Sequence, residues 1–225
     1  IYEERKEIEK TDPKIGLKLK NDEVSEKEDL AAVNRYFKHS DAANSATSNC
    51  VYCSLTYEMR KRGYDVAAKP KSAGMNGRYA TKQMFNGTKA NIIDTNGLIK
   101  KYDNKKEEIE FKYDTYQERI KADNVRKSAA ANRNKEYARA VIKNVEKEEN
   151  SRGSMFVQWG VGGGHAMSYK VENGKLTIID PQANKTFTGR EAEKLLSSTW
   201  LASTMRLDNA TINYKNKKMF KEAMS

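Results

Sequence analysis

The sequence contains little cysteine, histidine or proline, and the first two shortages exclude classes of protein. Only two of the 225 residues are cysteines, too few for a secreted domain held together by a disulfide framework. A structural zinc site normally needs four ligands. Cys50, Cys53, His39 and His165 would make four, but their spacing resembles no zinc module. We therefore expect neither a metal site nor another cofactor.

Long hydrophobic runs are also missing. No apolar stretch approaches the ~20 residues that span a bilayer, so we expect no membrane span. The first ten residues, IYEERKEIEK, are charged and lack the apolar segment of a signal peptide. Because the chain begins at Ile1, we interpret it as a domain of a longer protein.

Charge is what the sequence has in abundance. It carries 42 Lys and Arg against 31 Asp and Glu, a formal net charge of +11. The cations are spread along the chain and mixed with acids, without a basic run interleaved with aromatics and without a nucleic-acid motif. We interpret the charge mainly as a source of solubility. An acidic protein partner and nucleic acid both stay open.

Helical patterns come first along the chain and strand patterns follow. A capping box at Ser25 predicts a short helix to about Phe37, and residues 50–62 have the apolar stripe of a second helix. Charged helices are predicted over about 105–149. Strand patterns begin at Ser154. This order predicts an α+β fold with an antiparallel sheet.

One predicted hairpin brings a histidine and an aspartate together. In GGGHAMSYKVENGKLTIIDPQ, residues 162–182, the pair Asn173-Gly174 is typical of a two-residue turn. The resulting register places His165 and Asp180 on one side, as diagonal neighbours roughly 7–8 Å apart at the backbone. A carboxylate that bonds to an imidazole fixes its tautomer and stabilises the imidazolium. The same side carries the apolar residues Met167, Tyr169, Val171, Leu176 and Ile178.

Both cysteines lie in the first turn of the helix predicted over 50–62. A helix N-terminus favours a thiolate through its dipole and free N–H groups, and the same groups can donate to an oxyanion. Asn49 is the expected N-cap. A cysteine at a helix start, followed by a histidine and an acid on later strands, predicts a thiol nucleophile with its base.

These motifs resemble the papain-fold toxin family, the glutamine-deamidase-type domains of bacterial polymorphic toxins. The resemblance rests on NCVYCSLTYEMRKRGYDV, GGGHAMSY and IIDPQ, and covers roughly residues 48–188. Similar stretches occur at the ends of phage minor head proteins. The resemblance implies a papain-like fold in which N-terminal helices, including the nucleophile helix, pack on a C-terminal antiparallel sheet.

The resemblance also implies a Cys–His–Asp triad of Cys50, His165 and Asp180. Cys53 stays an alternative nucleophile, because the second cysteine of a CxxC is the nucleophile in papain itself.

Two further side chains are candidates for oxyanion or substrate contacts. Asn44 precedes Cys50 by six residues, where papain-like enzymes keep an oxyanion-hole side chain. Gln182 faces His165 in the predicted register, and its alternative role is to cap the strand end.

The domain organisation follows from the same resemblance. We expect a charged N-terminal arm and short helix over 1–40, then a papain-like catalytic domain over 41–225 with a charged helical insertion at about 105–149. The expected activity is deamidation of protein glutamine. A cysteine peptidase, a transglutaminase and a non-enzymatic phage structural or binding module are the alternatives.

The expected partners are a protein substrate, which the basic chain would suit if it is acidic, and a cognate inhibitor or immunity protein. The longer protein would be bacterial or phage, with this domain delivered into a target cell.

Overall fold

A computed structural model describes most of the chain. The described residues are 10–35, 49–70, 76–93, 133–159, 163–199 and 201–225. They form helices on both faces of an antiparallel sheet, so the predicted α+β class is confirmed.

The helices differ in length and in place along the chain. They are α1 (Glu26–Val33), α2 (Cys50–Lys61), α3 (Gly77–Met84), α4 (residues 133–145), α5 (Gly189–Ser197) and α6 (Lys217–Ala223), with a 3₁₀ turn at Tyr214–Asn216. In these stretches no helix combines the length and the apolar character needed to cross a membrane.

The strands form one main sheet and two small ribbons. They are β1 (Thr11–Asp12), β2 (Leu17–Lys18), β3 (Phe85–Asn86), β4 (Ala90–Ile92), β5 (Ser151–Trp159), β6 (Gly163–Glu172), β7 (Lys175–Asp180), β8 (Lys185–Thr188), β9 (Leu201–Arg206) and β10 (Thr211–Ile212). The main sheet has the order β4-β9-β5-β6-β7-β8, and its neighbours are antiparallel. β1 pairs with β2, and β10 pairs with β3.

The β6–β7 hairpin has the predicted turn and register. Asn173 and Gly174 have φ values of 53° and 69°, as a type I′ turn requires. Pairing runs from Glu172 opposite Lys175 to Ser168 opposite Ile179. β7 then ends at Asp180, which pairs with β8 rather than continuing along β6.

Side chains of β6 point alternately to the two faces of the sheet, and apolar clusters cover both faces. Met167 and Tyr169 pack into a cluster with residues of α4 and α5. Ala166 lies in a second cluster that contains the apolar side of α2. The apolar set predicted for the hairpin is therefore buried, but beneath α4 and α5 rather than beneath the cysteine helix.

The N-terminal residues contribute to the α2 cluster. Ile15 and Leu17, in a segment expected to be a charged arm, are almost fully buried, and Leu30 and Val33 of α1 join them. The predicted capping box of α1 is present, but α1 ends at Val33, and Phe37 lies outside the described residues. Of the helices predicted over 105–149, the structure describes residues 133–145.

Buried charges hold α2 against its surroundings. Asp29 of α1 accepts from Lys20 at 2.5 Å and from Arg60 of α2 at 3.1 Å, with all three side chains largely buried. Glu58 binds Arg62 at 2.7 Å and Arg152 of β5 at 3.1 Å. These pairs fix α2 between α1 and the sheet.

Candidate active site

A cleft opens where α2 begins against the sheet. Its volume is about 340 Å³. Cys50 of α2 and His165 of β6 line it, together with Asn76, which precedes α3, and with Gly77 and Arg78 of α3. Gln158 of β5 and Ser203 of β9 are among the other lining residues.

The predicted His–Asp pair is present. His165 Nε2 lies 2.9 Å from Asp180 Oδ2, and the two side chains are 14% and 13% exposed. The other carboxylate oxygen of Asp180 accepts from the backbone N–H groups of Gln182, at 3.0 Å, and Ala183, at 3.2 Å. The turn after β7 therefore fixes the carboxylate that orients the imidazole.

The Cys50 thiol meets the other side of the same imidazole. It hydrogen-bonds to the His165 side chain and to the backbone at Ala166 and Val51. Because Nε2 faces Asp180, the remaining nitrogen, Nδ1, is the one that faces the sulfur. The three side chains form a continuous chain from sulfur to carboxylate.

Electrostatics favour the charged form of both the thiol and the imidazole. Burial alone raises the pKa of Cys50, but its hydrogen bond to His165 and the charge of that ring outweigh burial and lower the pKa. Burial alone lowers the pKa of His165, but the bonds to Asp180 and Cys50 raise it to about 9. A thiolate–imidazolium pair is the state these shifts favour.

Cys53 lies in a different environment. It is fully buried in the α2 cluster, and burial, followed by the charges of Cys50 and Asp180, raises the pKa of its thiol well above the ordinary value. Cys50, by contrast, is partly exposed and lines the cleft. The structure brings Cys50 to His165 and leaves Cys53 in the core.

Asn49 and Gln182 play parts that differ from those predicted. Asn49 is the N-cap residue of α2, yet its side chain does not cap the helix. Its amide instead donates to Asn34, at 3.1 Å, and to the carbonyl of Lys69, at 3.1 Å. Its oxygen accepts from Gln182 Nε2 at 3.2 Å.

The contacts of Gln182 connect the start of α2 to the Asp180 turn. Its backbone N–H donates to Asp180 and its carbonyl accepts from Asn34, while its side chain reaches Asn49, the residue before Cys50. Gln182 does not line the cleft. These contacts suit a positioning residue, and the substrate contact of Gln182 stays a prediction.

Two residues beside His165, Trp159 and Gly164, are described, whereas two residues considered from the sequence are not. Asn44 and His39 lie outside the described residues. Trp159 packs on the imidazole, with ring centroids 5.8 Å apart, and donates to Ser198 at 3.0 Å. Gly164 borders the cleft, and a Cβ there would meet only one atom, the Val157 carbonyl oxygen, at 3.6 Å.

Three lining residues were not predicted from the sequence: Arg78, Gln158 and Ser203. Each comes from a different element, α3, β5 or β9, and no local motif marks any of them. Only the order of strands in the sheet and the packing of α3 bring them together. The pairing of β5 with β6 places Gln158 opposite Gly164, beside His165. This register was the one signal that could have indicated Gln158 as a lining residue.

Comparison with known proteins gives one match. A family model described as papain fold toxin 1, glutamine deamidase, matches residues 48–185. The matched range includes Cys50, His165 and Asp180. No curated protein and no solved structure gives a significant match.

Proposed function

The chain belongs to the glutamine deamidase family of papain fold toxins, and on that premise we propose that it hydrolyses the side-chain amide of a glutamine in a target protein. Cys50 is the nucleophile, His165 the acid and base, and Asp180 the residue that orients His165. The observation that carries the proposal is the hydrogen-bonded chain of these three side chains at the cleft.

The reaction needs two acyl-transfer steps. The Cys50 thiolate attacks the carboxamide carbon, and the free N–H groups at the start of α2 stabilise the oxyanion. The His165 imidazolium then protonates the leaving nitrogen, ammonia departs and a thioester remains. Neutral His165 takes a proton from water, which attacks the thioester and releases glutamate and the thiolate.

Family membership favours deamidation over other outcomes of the same chemistry. A peptidase and a transglutaminase also pass through a thioester, but they differ in leaving group or acceptor.

The proposed catalytic domain spans 41–225, and residues 1–40 support it through Asn34. The toxin family further suggests a protein substrate and an immunity protein as partners.

The test is mass spectrometry of candidate target proteins treated with the wild type, Cys50→Ala and Cys53→Ala. We expect a gain of about one mass unit at a glutamine, with release of ammonia, for the wild type. Cys50→Ala should abolish this activity because it lacks the nucleophile. Cys53→Ala should retain it, since Cys53 contributes packing rather than chemistry.

Three results would contradict the proposal. New chain ends would make the protein a peptidase, and an amine incorporated at glutamine would make it a transglutaminase. Equal and full activity in both cysteine variants would exclude a thiol mechanism.

A further inference from the structure

Two described segments of the chain carry several cations and no acids. Residues 76–93 and 209–221 contain no Asp and no Glu. The first segment carries three cations and the second carries four. They are Arg78, Lys82, Lys89, Lys215, Lys217, Lys218 and Lys221.

The two segments pack together into one region, which we call the basic wall. β3 of the first pairs with β10 of the second. Asn213 donates to the carbonyl of Gln83 at 2.9 Å, and Asn216 donates to the Gln83 side chain at 3.1 Å. The rings of Phe85 and Phe220 meet edge to face. Segments far apart in sequence thus place seven cations on one part of the molecule.

The charges of the basic wall are poorly neutralised. Its six lysines are exposed. Among the described residues, only Lys218 has a carboxylate partner, Glu222, at 3.7 Å. By contrast, Lys170 pairs with Glu26 and Glu172 on another part of the sheet. A surface that serves only solubility does not require such segregation of charge.

The basic wall reaches the cleft at one end. Arg78, in the first turn of α3, lines the cleft with Cys50 and His165. Gly77 permits this approach, since a Cβ at that position would lie 2.3 Å from Phe156 Cε1. No described residue forms an ion pair with Arg78. Among the described residues, Arg78 therefore has no carboxylate partner, and it lies beside the proposed reacting group.

We propose that the basic wall docks an acidic surface of the protein substrate, with Arg78 binding a carboxylate close to the target glutamine. This inference rests on the proposed function. Segregated charge steers association and sets partner choice, and a guanidinium at the cleft matches a carboxylate in a two-pronged geometry.

An acidic protein fits the basic wall better than nucleic acid does. Sequence-independent binding of single strands uses exposed aromatic side chains on which bases stack. The wall has two exposed tyrosines, and Tyr214, the less exposed one, has Lys14 Nζ 5.1 Å from its ring centroid. Tyr79 is left as the one large aromatic side chain that is mostly exposed among the described residues of the wall.

The docking test measures binding to Cys50→Ala, which cannot turn over its substrate. The probes are fluorescent twenty-residue peptides with one central glutamine and acidic, neutral or basic flanks, together with a single-stranded DNA of similar length. We expect the acidic peptide to bind at least about tenfold more tightly than the neutral one, and the difference to shrink at high salt.

Two matched triple variants locate the effect. Lys82→Glu, Lys89→Glu and Lys217→Glu reverse three charges of the basic wall. The control reverses three exposed lysines on α4, after it, and at the hairpin turn: Lys143→Glu, Lys147→Glu and Lys175→Glu. The first variant should lose the preference for the acidic peptide, and the control should keep it. Thermal unfolding checks that both fold.

Arg78→Gln tests the contact at the cleft. The probe here is a peptide that carries acidic residues only beside the glutamine. Arg78→Gln should lose the preference for this peptide over the neutral one, while the triple variant of the basic wall should keep part of that preference. Equal preference for all peptides, equal loss in both triple variants, or tighter binding of DNA than of the acidic peptide would each overturn the inference.

Ammonia release by the wild type from the same peptides separates the two proposals. Binding with the expected preference but without ammonia release would count against the deamidase and leave docking supported. Ammonia release at equal rates from all peptides would support the deamidase and exclude docking by charge.

Discussion

Single residues determine the reactivity of the cleft, and His165 is the central one. Asp180 is hydrogen-bonded to one of its ring nitrogens and Cys50 to the other. The two partners favour the charged ring, so the lowered pKa of the thiol and the raised pKa of the imidazole have one origin. Cys53, one helical turn away, has no such partner and is buried.

The pH dependence of the site follows from these directions. The pKa of His165 is raised to about 9, above its usual value near 6.5. The charged ring therefore contributes its full stabilising effect below about pH 6.5, and this effect is lost as the pH rises through about 9. The pKa of Cys50 is lowered, so the thiolate contributes its full stabilising effect above the usual thiol pKa. This effect is lost as the pH falls through the lowered pKa of Cys50. The ion pair is most stable between these two limits.

We therefore predict a bell-shaped pH profile for deamidation, with its alkaline limb near pH 9. Alkylation of Cys50 by iodoacetamide should show only the acid limb, below the ordinary thiol range, because deprotonation of His165 leaves a thiolate. In Asp180→Asn the alkaline limb should move down by about one pH unit or more. Identical profiles for wild type and variant would contradict the role of Asp180.

Gln182 provides a second test at this scale. Gln182→Ala removes the contact to the fully buried Asn49, so we expect a loss of about 1–2 kcal/mol in unfolding free energy and a fall in kcat with little change in KM. Gln158→Ala, at the cleft, should have the opposite effect: KM should rise, and the free energy of unfolding should stay unchanged. A raised KM with unchanged stability in Gln182→Ala would instead restore a substrate contact.

At the scale of elements, the hairpin and the cysteine helix could be predicted because their signals are local. Asn173-Gly174 specifies its own turn, and strand alternation then gives the register of His165. Which cysteine reaches the histidine is not local. It depends on which side of α2 faces β6, and both cysteines lie in one turn of a helix that is almost entirely buried.

The position of α2 depends on buried ion pairs that no sequence motif marked. Asp29→Asn should destabilise the protein by about 3 kcal/mol, because Arg60 and Lys20 lose a buried carboxylate. Glu193→Gln breaks the exposed pair with Arg139 and should cost at most about 0.5 kcal/mol. Denaturant titration compares them, and equal shifts would show that the Asp29 cluster does not hold α2.

At the scale of the whole molecule, the fold extends beyond the residues that match the family. β9 lies between β4 and β5 in the sheet, yet follows the matched range in sequence. Ile15, Leu17, Leu30 and Val33, which precede it, are buried around α2. The fold therefore needs chain on both sides of the matched range.

A fragment of residues 48–185 should accordingly fail to fold. It lacks β9 and the N-terminal part of the core, and it exposes the edge of β5. We expect both thiols of the fragment to react quickly with a thiol reagent, whereas in the full chain Cys53 reacts only after denaturation. A fragment with a protected Cys53 and a cooperative unfolding transition would show that the flanking residues are dispensable.

Assembly of the sheet also determines when the Cys50 thiol gains its imidazole partner. Strands far apart in sequence must pair before the sheet closes, and such non-local pairing is slow to form. Until β6 docks on α2, Cys50 has no imidazole beside it and behaves as an ordinary thiol. In a newly made or unfolded chain the proposed nucleophile is thus an ordinary thiol, and its pKa falls only once β6 brings His165 beside it.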